Sequence, residues 1–174
     1  MAHQSQIDFM LSVKSRFPER FQNCRVLDIG SLDLNGNNRY LFENYKYLGV
    51  DIGYGNNVDL VCPGHKLRDG EGFDIVISTE CLEHDEYWID TLCNMVDLTK
   101  KDGLFLLSCA TTGRPEHGTK NTSPLDSPFT TDYYKNITIN DIQFAIDIQS
   151  VFKQYELKTI SNPSCDLYFW GIKK

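Results

Sequence analysis

No apolar run in the 174-residue sequence approaches the roughly 20 residues needed to cross a bilayer. Residues 1–10 are polar and carry no signal-peptide core, so a cytoplasmic protein with no membrane partner is expected. Basic residues are scarce: 17 Lys and Arg stand against 24 Asp and Glu, a formal net charge of −7. The longest basic runs are Lys100–Lys101 and Lys173–Lys174. Such a surface does not draw nucleic acid or anionic membrane by bulk electrostatics, and nucleic acid is not an expected partner. There is no C-x-x-C pair among the six cysteines, Cys24, Cys62, Cys81, Cys93, Cys109 and Cys165. Several lie inside apolar runs, which points to reduced, buried thiols rather than disulfides or zinc ligands. Internal repeats and low-complexity segments are also missing.

The 41% hydrophobic and 24% charged content suits a folded chain, long enough for one domain with a core and short for two. A single domain over residues 1–174 is expected. Helix and strand patterns alternate along it. Ser5-Gln6-Ile7-Asp8 reads as a capping box opening a helix that Pro18 closes. Residues 24–29 form a buried apolar strand, followed by a short helix over Asn38–Glu43 and strands at 47–51, 58–61 and 73–78. Trp88, Ile89, Leu92, Met95 and Val96 share one face of a helix over Glu86–Lys100. Lys101-Asp102-Gly103 is a turn, and Leu104–Ala110 a central strand. Thr111–Asn136 is a long polar stretch, of a length that is usually functional or mobile in a compact domain. Thr138-Ile139-Asn140-Asp141 is a second capping box, opening a helix to about Val151. Strands at 153–160 and 166–172 flank a turn at Asn162-Pro163. Five strands separated by helices imply a doubly wound α/β sheet, mostly parallel, with right-handed crossovers. The last two strands, joined by a short turn, add an antiparallel strand at one edge, for seven in all.

The chemistry-bearing corner follows the first strand. Val26-Leu27-Asp28-Ile29-Gly30 runs into Ser31-Leu32-Asp33-Leu34-Asn35-Gly36, and the second strand ends at Asp51. In a Rossmann-like crossover, glycines after strand one let backbone approach a ligand, and an acid ending strand two grips a ribose diol. The spacing is not G-x-G-x-x-G: Gly30 and Gly36 are six positions apart with Leu32 and Leu34 between them. That disfavours a diphosphate dinucleotide. The nearby Asp28 and Asp33 suit a cationic or zwitterionic ligand.

These residues, with Gly49-Val50-Asp51, Phe73-Asp74-Ile75-Val76, Leu82-Glu83-His84 and Lys101-Asp102-Gly103-Leu104, resemble the class I S-adenosylmethionine-dependent methyltransferases. The small single-domain bacterial type is the nearest in pattern. The resemblance covers Cys24–Ala110 and implies a Rossmann-like fold, S-adenosyl-L-methionine as cofactor and methyl transfer as activity. It places Asp28, Gly30 and Ser31 under the methionine portion, Asp51 at the ribose hydroxyls and Ile52 on the adenine. His65, in Gly64-His65-Lys66-Leu67, would line the adenine edge. The family's acid for the adenine amino group aligns with Cys62 or Pro63, so another group must substitute. Thr79 and Glu80, after Ser78 at the end of strand four, fall beside the methionine and the transferred methyl.

Catalytic candidates are His84, Glu83 and His117. His84 sits at a helix entrance near the carboxyl edge of the sheet and is the foremost general-base candidate, or orients its loop between the helix-start acids Glu83 and Asp85. Glu80-x-x-Glu83-His84 with His117 is also similar to the metal cluster of small-RNA 3′-terminal 2′-O-methyltransferases. Because E-x-x-E-H recurs in metal-free methyltransferases, no metal is assigned. Arg114 could clamp a carboxylate or phosphate, and Tyr133-Tyr134 could close as a lid. The expected function is methyl transfer to a small polar acceptor such as a sugar or nucleotide-sugar. Metal-dependent RNA 2′-O-methylation and a non-catalytic methyltransferase-like binding protein are the alternatives.

Overall fold

The computed structural model describes residues 4–130, 132–161 and 164–174. The expected turn at Asn162-Pro163 falls outside them. Seven strands among the described residues form one sheet: β1 (Arg25–Ile29), β2 (Lys46–Asp51), β3 (Leu60–Val61), β4 (Phe73–Thr79), β5 (Thr99–Ala110), β6 (Phe152–Ile160) and β7 (Asp166–Lys173). Their spatial order is β3-β2-β1-β4-β5-β7-β6. Pairings from β3 through β5 are parallel, and β7 runs antiparallel to both β5 and β6. The antiparallel pairing expected at one edge is therefore present, with β7 tucked inside and β6 outermost. A short connection forces that hairpin to be antiparallel, whereas parallel neighbours need a crossover.

Strand alternation sorts the core into two layers. Val26, Ile75, Ile77, Leu104, Leu106, Tyr168 and Trp170 pack with Phe9, Met10 and Val13 of α1 (Gln4–Arg16) and with Phe21, Leu41 and Phe42. Leu27, Ile29, Val76, Phe105, Leu107 and Phe169 pack on the other face with Trp88, Leu92 and Met95 of α2 (Trp88–Leu98). Ile142 of α3 (Ile139–Ala145) and Ile148 of α4 (Ile148–Val151) complete that layer. No helix of the described residues is long and apolar enough to cross a membrane, and all six thiols are free.

Four local expectations shift. Ser5 lies inside α1 rather than at its cap, because the helix already begins at Gln4. The helix expected over Asn38–Glu43 is a single 3-10 turn, Arg39–Leu41. The preceding Asn35-Gly36-Asn37-Asn38 is poor helix sequence, and the Asn38 amide is drawn away to Asp28 and Thr79. Lys101-Asp102-Gly103 is a bulge within β5: the β4 register jumps from Phe73↔Thr99 to Ile75↔Leu104, with Asp102 at φ 63°. The helix expected to run to Val151 is two. The Thr138–Asp141 capping box opens α3, but Ile146 is extended and Asp147 caps α4 afresh through Ser150 N.

Candidate active site

The carboxyl ends of β1, β2 and β4 open into a cavity of about 630 Å³. All eight residues expected to bind cofactor line it: Asp28, Gly30, Ser31, Asp51, Ile52, His65, Thr79 and Glu80. A volume of this size suits a ligand of nucleoside dimensions or larger.

Asp28 is the most deeply buried of these acids. Its Oδ2 accepts from the Tyr47 hydroxyl and from Asn38 Nδ2 at 3.3 Å. Its Oδ1 is buried with no hydrogen-bond partner among the described residues. Burial pushes the carboxyl up to about 7, tempered by the Tyr47 and Asn38 hydrogen bonds. The β1–β2 register brings the triad together: Val26 lies opposite Tyr47 and Asp28 opposite Gly49, so the tyrosine reaches diagonally to Asp28, while the missing side chain at 49 leaves room for the Asn57 carbonyl and the Ser31 hydroxyl. Asn38 Nδ2 also reaches Thr79 Oγ1 at 3.2 Å, tying β4 to the same corner.

Asp51 is held by the backbone. Leu32 N donates to one carboxylate oxygen at 3.1 Å and Gly53 N to the other at 3.2 Å. Burial raises its pKa while these bonds lower it. Next to it Ile52 is half exposed and apolar. Ser31 turns its hydroxyl to Asn57 O at 3.1 Å. The His65 ring lies against Tyr87, centroids 4.6 Å apart, and its Nδ1 is buried with no partner among the described residues.

Glu80 lines the cavity but aims its carboxylate sideways. Oε1 accepts from Ser108 Oγ at 2.9 Å, and Oε2 stands 3.7 Å from Arg114 Nη2. Arg114 Nη1 bonds Asp166 Oδ1 at 2.9 Å and also the Ser164 carbonyl. The guanidinium expected to clamp a substrate anion is instead spoken for by two buried carboxylates, a consequence of β7 beginning beside the end of β5.

Of the three catalytic candidates, His84 borders the cavity, and Glu83 and His117 lie immediately behind it. Glu83 and His84 occupy the 3-10 turn Leu82–His84 between β4 and α2. Glu83 Oε1 accepts from Ala110 N at 3.1 Å, and its carboxyl rises to about 8 through burial and the nearby Glu80 charge. Burial and the neighbouring His117 push His84 down to about 3, so its imidazole is neutral at neutral pH and holds a proton weakly. Burial also lowers the His117 pKa.

No protein-family model matches the chain, and no curated protein matches it. Solved structures do. A Burkholderia thailandensis 1,6-didemethyltoxoflavin-N1-methyltransferase, with 1,6-didemethyltoxoflavin and S-adenosylhomocysteine bound, superposes with TM-score 0.65 at 16% identity, over 96% of this chain and 77% of that one. An S-adenosylmethionine-dependent methyltransferase from Archaeoglobus fulgidus gives TM-score 0.61 at 15% identity, over 95% and 94%. The N-terminal domain of EvdMO1, crystallised with S-adenosylhomocysteine and D-fucose, gives 0.66 at 17% identity, over 100% and 85%. The chain has the class I methyltransferase fold.

Within this fold a short part of the long polar segment after β5 roofs the cavity. Residues 126–130 line it, and the Phe129 ring lies so close over Gly53 that a Cβ there would stand 1.9 Å from the ring. Tyr133 and Tyr134, expected as a lid, are not among the lining residues. Tyr134 packs instead on His84 and His117, centroids 5.5 and 5.0 Å away. Sequence reasoning missed Asn38, Tyr47 and Phe129. Tyr47 carries one usable signal, a tyrosine two positions before the glycine opposite Asp28. Asn38 and Phe129 carry none.

Proposed function

We propose that this protein is an S-adenosylmethionine-dependent methyltransferase acting on a small polar acceptor, a sugar or nucleotide-sugar hydroxyl being the favoured class, and working in the cytoplasm as a single domain. The observation that carries this reading is the buried, unpartnered Asp28 Oδ1 in a 630 Å³ cavity that also presents Asp51. A buried acceptor atom without a donor is costly, and an ammonium donor of an amino-acid ligand is its natural complement. The fold supports it, and so do the ligands of its structural neighbours, among them the 1,6-didemethyltoxoflavin-N1-methyltransferase and the EvdMO1 domain, both with S-adenosylhomocysteine.

The residues fit that cofactor. Asp28 would accept from the amino group, and the close approach of backbone at Gly30 and Ser31 leaves room for the methionine chain. Asp51, oriented by Leu32 N and Gly53 N, would take the ribose hydroxyls in a bidentate pair. Ile52 would cover one adenine face, with His65 offering Nδ1 at the adenine edge. Thr79 and Glu80 would border the sulfur end. S-adenosylmethionine supplies a methyl already activated on a sulfonium, so the protein's work is chiefly placement of the acceptor in line with it. His84 is the side chain of the catalytic trio that reaches the cavity. Neutral and half of a histidine pair, it would accept a hydrogen bond from an acceptor hydroxyl, with Glu83 and His117 setting its position. A sugar-like acceptor is favoured by the polar lining contributed by Gln6, Asn35, Asn37 and Asn38.

Calorimetry with S-adenosylmethionine and S-adenosylhomocysteine tests the reading. Both should bind, and Asp51→Ala should weaken binding by about 1.5–3 kcal/mol, the range for hydrogen bonds to a charged group. Failure of the wild type to bind either at millimolar concentration overturns it. Binding with no turnover across hydroxylated acceptors would leave the non-catalytic binding protein.

A further inference from the structure

We propose that Glu83, His84 and His117 form a binding site for a borderline first-row divalent cation of the Zn²⁺ type, set in the wall between the cavity and the loop after β5. One carboxylate oxygen and one nitrogen from each imidazole lie within 4.8 Å of one another. Two imidazoles and a carboxylate favour such an ion over Mg²⁺ or Ca²⁺, which call for oxygen ligands.

Two of the three ligands, Glu83 and His117, are already hydrogen-bonded from behind, as metal ligands are, and His84 is held by ring packing. His117 Nδ1 lies 3.1 Å from Pro115 O; donating to that carbonyl fixes the tautomer and leaves the Nε2 lone pair free. The Tyr134 hydroxyl shares its proton between Asn136 Oδ1 at 2.8 Å and the same Pro115 carbonyl at 3.2 Å, and its ring packs against both imidazoles. Glu83 Oε1 is anchored by Ala110 N, while Oε2 is buried with no hydrogen-bond partner among the described residues. His84 Nδ1 is likewise buried and unpartnered among them. His84 and His117 meet nearly perpendicular, centroids 4.9 Å apart. Gly118 keeps the loop against this pair: at φ +66°, a Cβ on it would stand 2.7 Å from His84 Cε1.

Buried polar atoms without partners are uncommon, and a cation shared by Glu83 Oε2 and His84 Nδ1 would compensate both. The set excludes Glu80, whose carboxylate is turned to Ser108 and Arg114. It therefore differs from the four-residue grouping that sequence spacing suggests. Three protein ligands leave coordination positions open, and since His84 borders the cavity, an oxygen ligand entering from the cavity side could fill one. The site stands whether or not the protein transfers methyl groups.

Equilibrium dialysis of chelator-treated protein against Zn²⁺, read by metal analysis, tests it. One ion per chain is expected at micromolar free Zn²⁺, with a rise in the thermal midpoint and no displacement by millimolar Mg²⁺. His117→Ala, in a partly exposed loop, and Glu83→Gln, which keeps the side-chain shape, should each weaken binding at least about tenfold. Circular dichroism checks that each variant is folded, and His117→Ala suffices should Glu83→Gln not be. No bound Zn²⁺, or binding unaltered in His117→Ala as for a cysteine site, overturns the proposal. Binding of S-adenosylhomocysteine, measured separately, tells this failure from failure of the methyltransferase reading.

Discussion

Gly30 and Cys81 touch at the heart of the cavity: a Cβ at position 30 would stand 2.4 Å from both Cβ and Sγ of Cys81. Gly30 also holds φ +77°, which L side chains rarely adopt. The turn leaving β1 and the turn leaving β4 are thereby brought together, and Asp28 and Glu80 face one space. Gly30→Ala should lose about 2–4 kcal/mol of stability, combining left-handed strain with a clash against both Cβ and Sγ of half-buried Cys81. Urea denaturation measures it, and a loss below about 1 kcal/mol would mean the two turns are further apart than described.

The proposed contact of Asp28 with the cofactor's amino group makes cofactor affinity depend on pH. Its carboxyl, raised to about 7, is largely protonated at pH 6 and largely ionised at pH 8. A cationic ligand group favours the ionised form, so binding below pH 7 must displace a proton. Affinity for S-adenosylmethionine is expected to rise from pH 6 to pH 8, by at most about tenfold per unit for one proton. Asp28→Asn should bind more weakly and flatten the slope. Calorimetry at both pH values decides it; a wild-type affinity that falls with pH counts against the assignment.

The same carboxyl sets a stability trend of opposite sign. Between the ordinary Asp value near 3.9 and about 7, the unfolded chain ionises Asp28 while the folded chain keeps it neutral. Stability contributed by Asp28 is full below pH 4 and declines as pH rises to 7. Asp28→Asn removes that decline, so relative to wild type it should gain about 1–3 kcal/mol on going from pH 4 to pH 8. Thermal melts of both proteins across this range would show it.

Arg114 is a keystone rather than a substrate hook. It bridges Asp166, fully buried, and Glu80, nearly so. Arg114→Ala should cost about 3–5 kcal/mol, because it strips the cation from two buried carboxylates. Arg114→Lys should recover part of that, lacking the bidentate fork. A variant as stable as wild type, but with a raised acceptor KM, would restore the substrate-binding role.

Phe129 closes the roof. Its ring lies over Gly53, beside Asp51, and is about half exposed. Phe129→Ala should change stability by less than about 1 kcal/mol, since little buried area is lost, while weakening cofactor binding several-fold through faster release. Stopped-flow dissociation of S-adenosylhomocysteine reads it directly, and an unchanged off-rate would remove Phe129 from the roof.

The strands announced themselves in the chain. Val26–Ile29, Ile75–Ile77 and Leu104–Ala110 are apolar because both faces of the sheet are covered, and a central parallel strand has no other way to satisfy that burial. Thr138 and Asp141 spell a capping box that needs only three residues of separation to work. Gly30 and Asp51 were legible as strand-end residues because local sequence marks the ends of β1 and β2, and both line the cavity.

What lay beyond the sequence were meetings between side chains distant along the chain. Asn38 and Tyr47 converge on Asp28 only after β2 registers beside β1. Arg114 finds Asp166 only because β7 inserts between β5 and β6. His117 reaches His84 only because the Gly118 backbone can press against it. Periodicity and capping are short-range and are written in neighbouring residues. Burial, with the pKa shifts and unpaired atoms it creates, depends on which distant segments close over a group, and that was decided by the packed sheet and its roof.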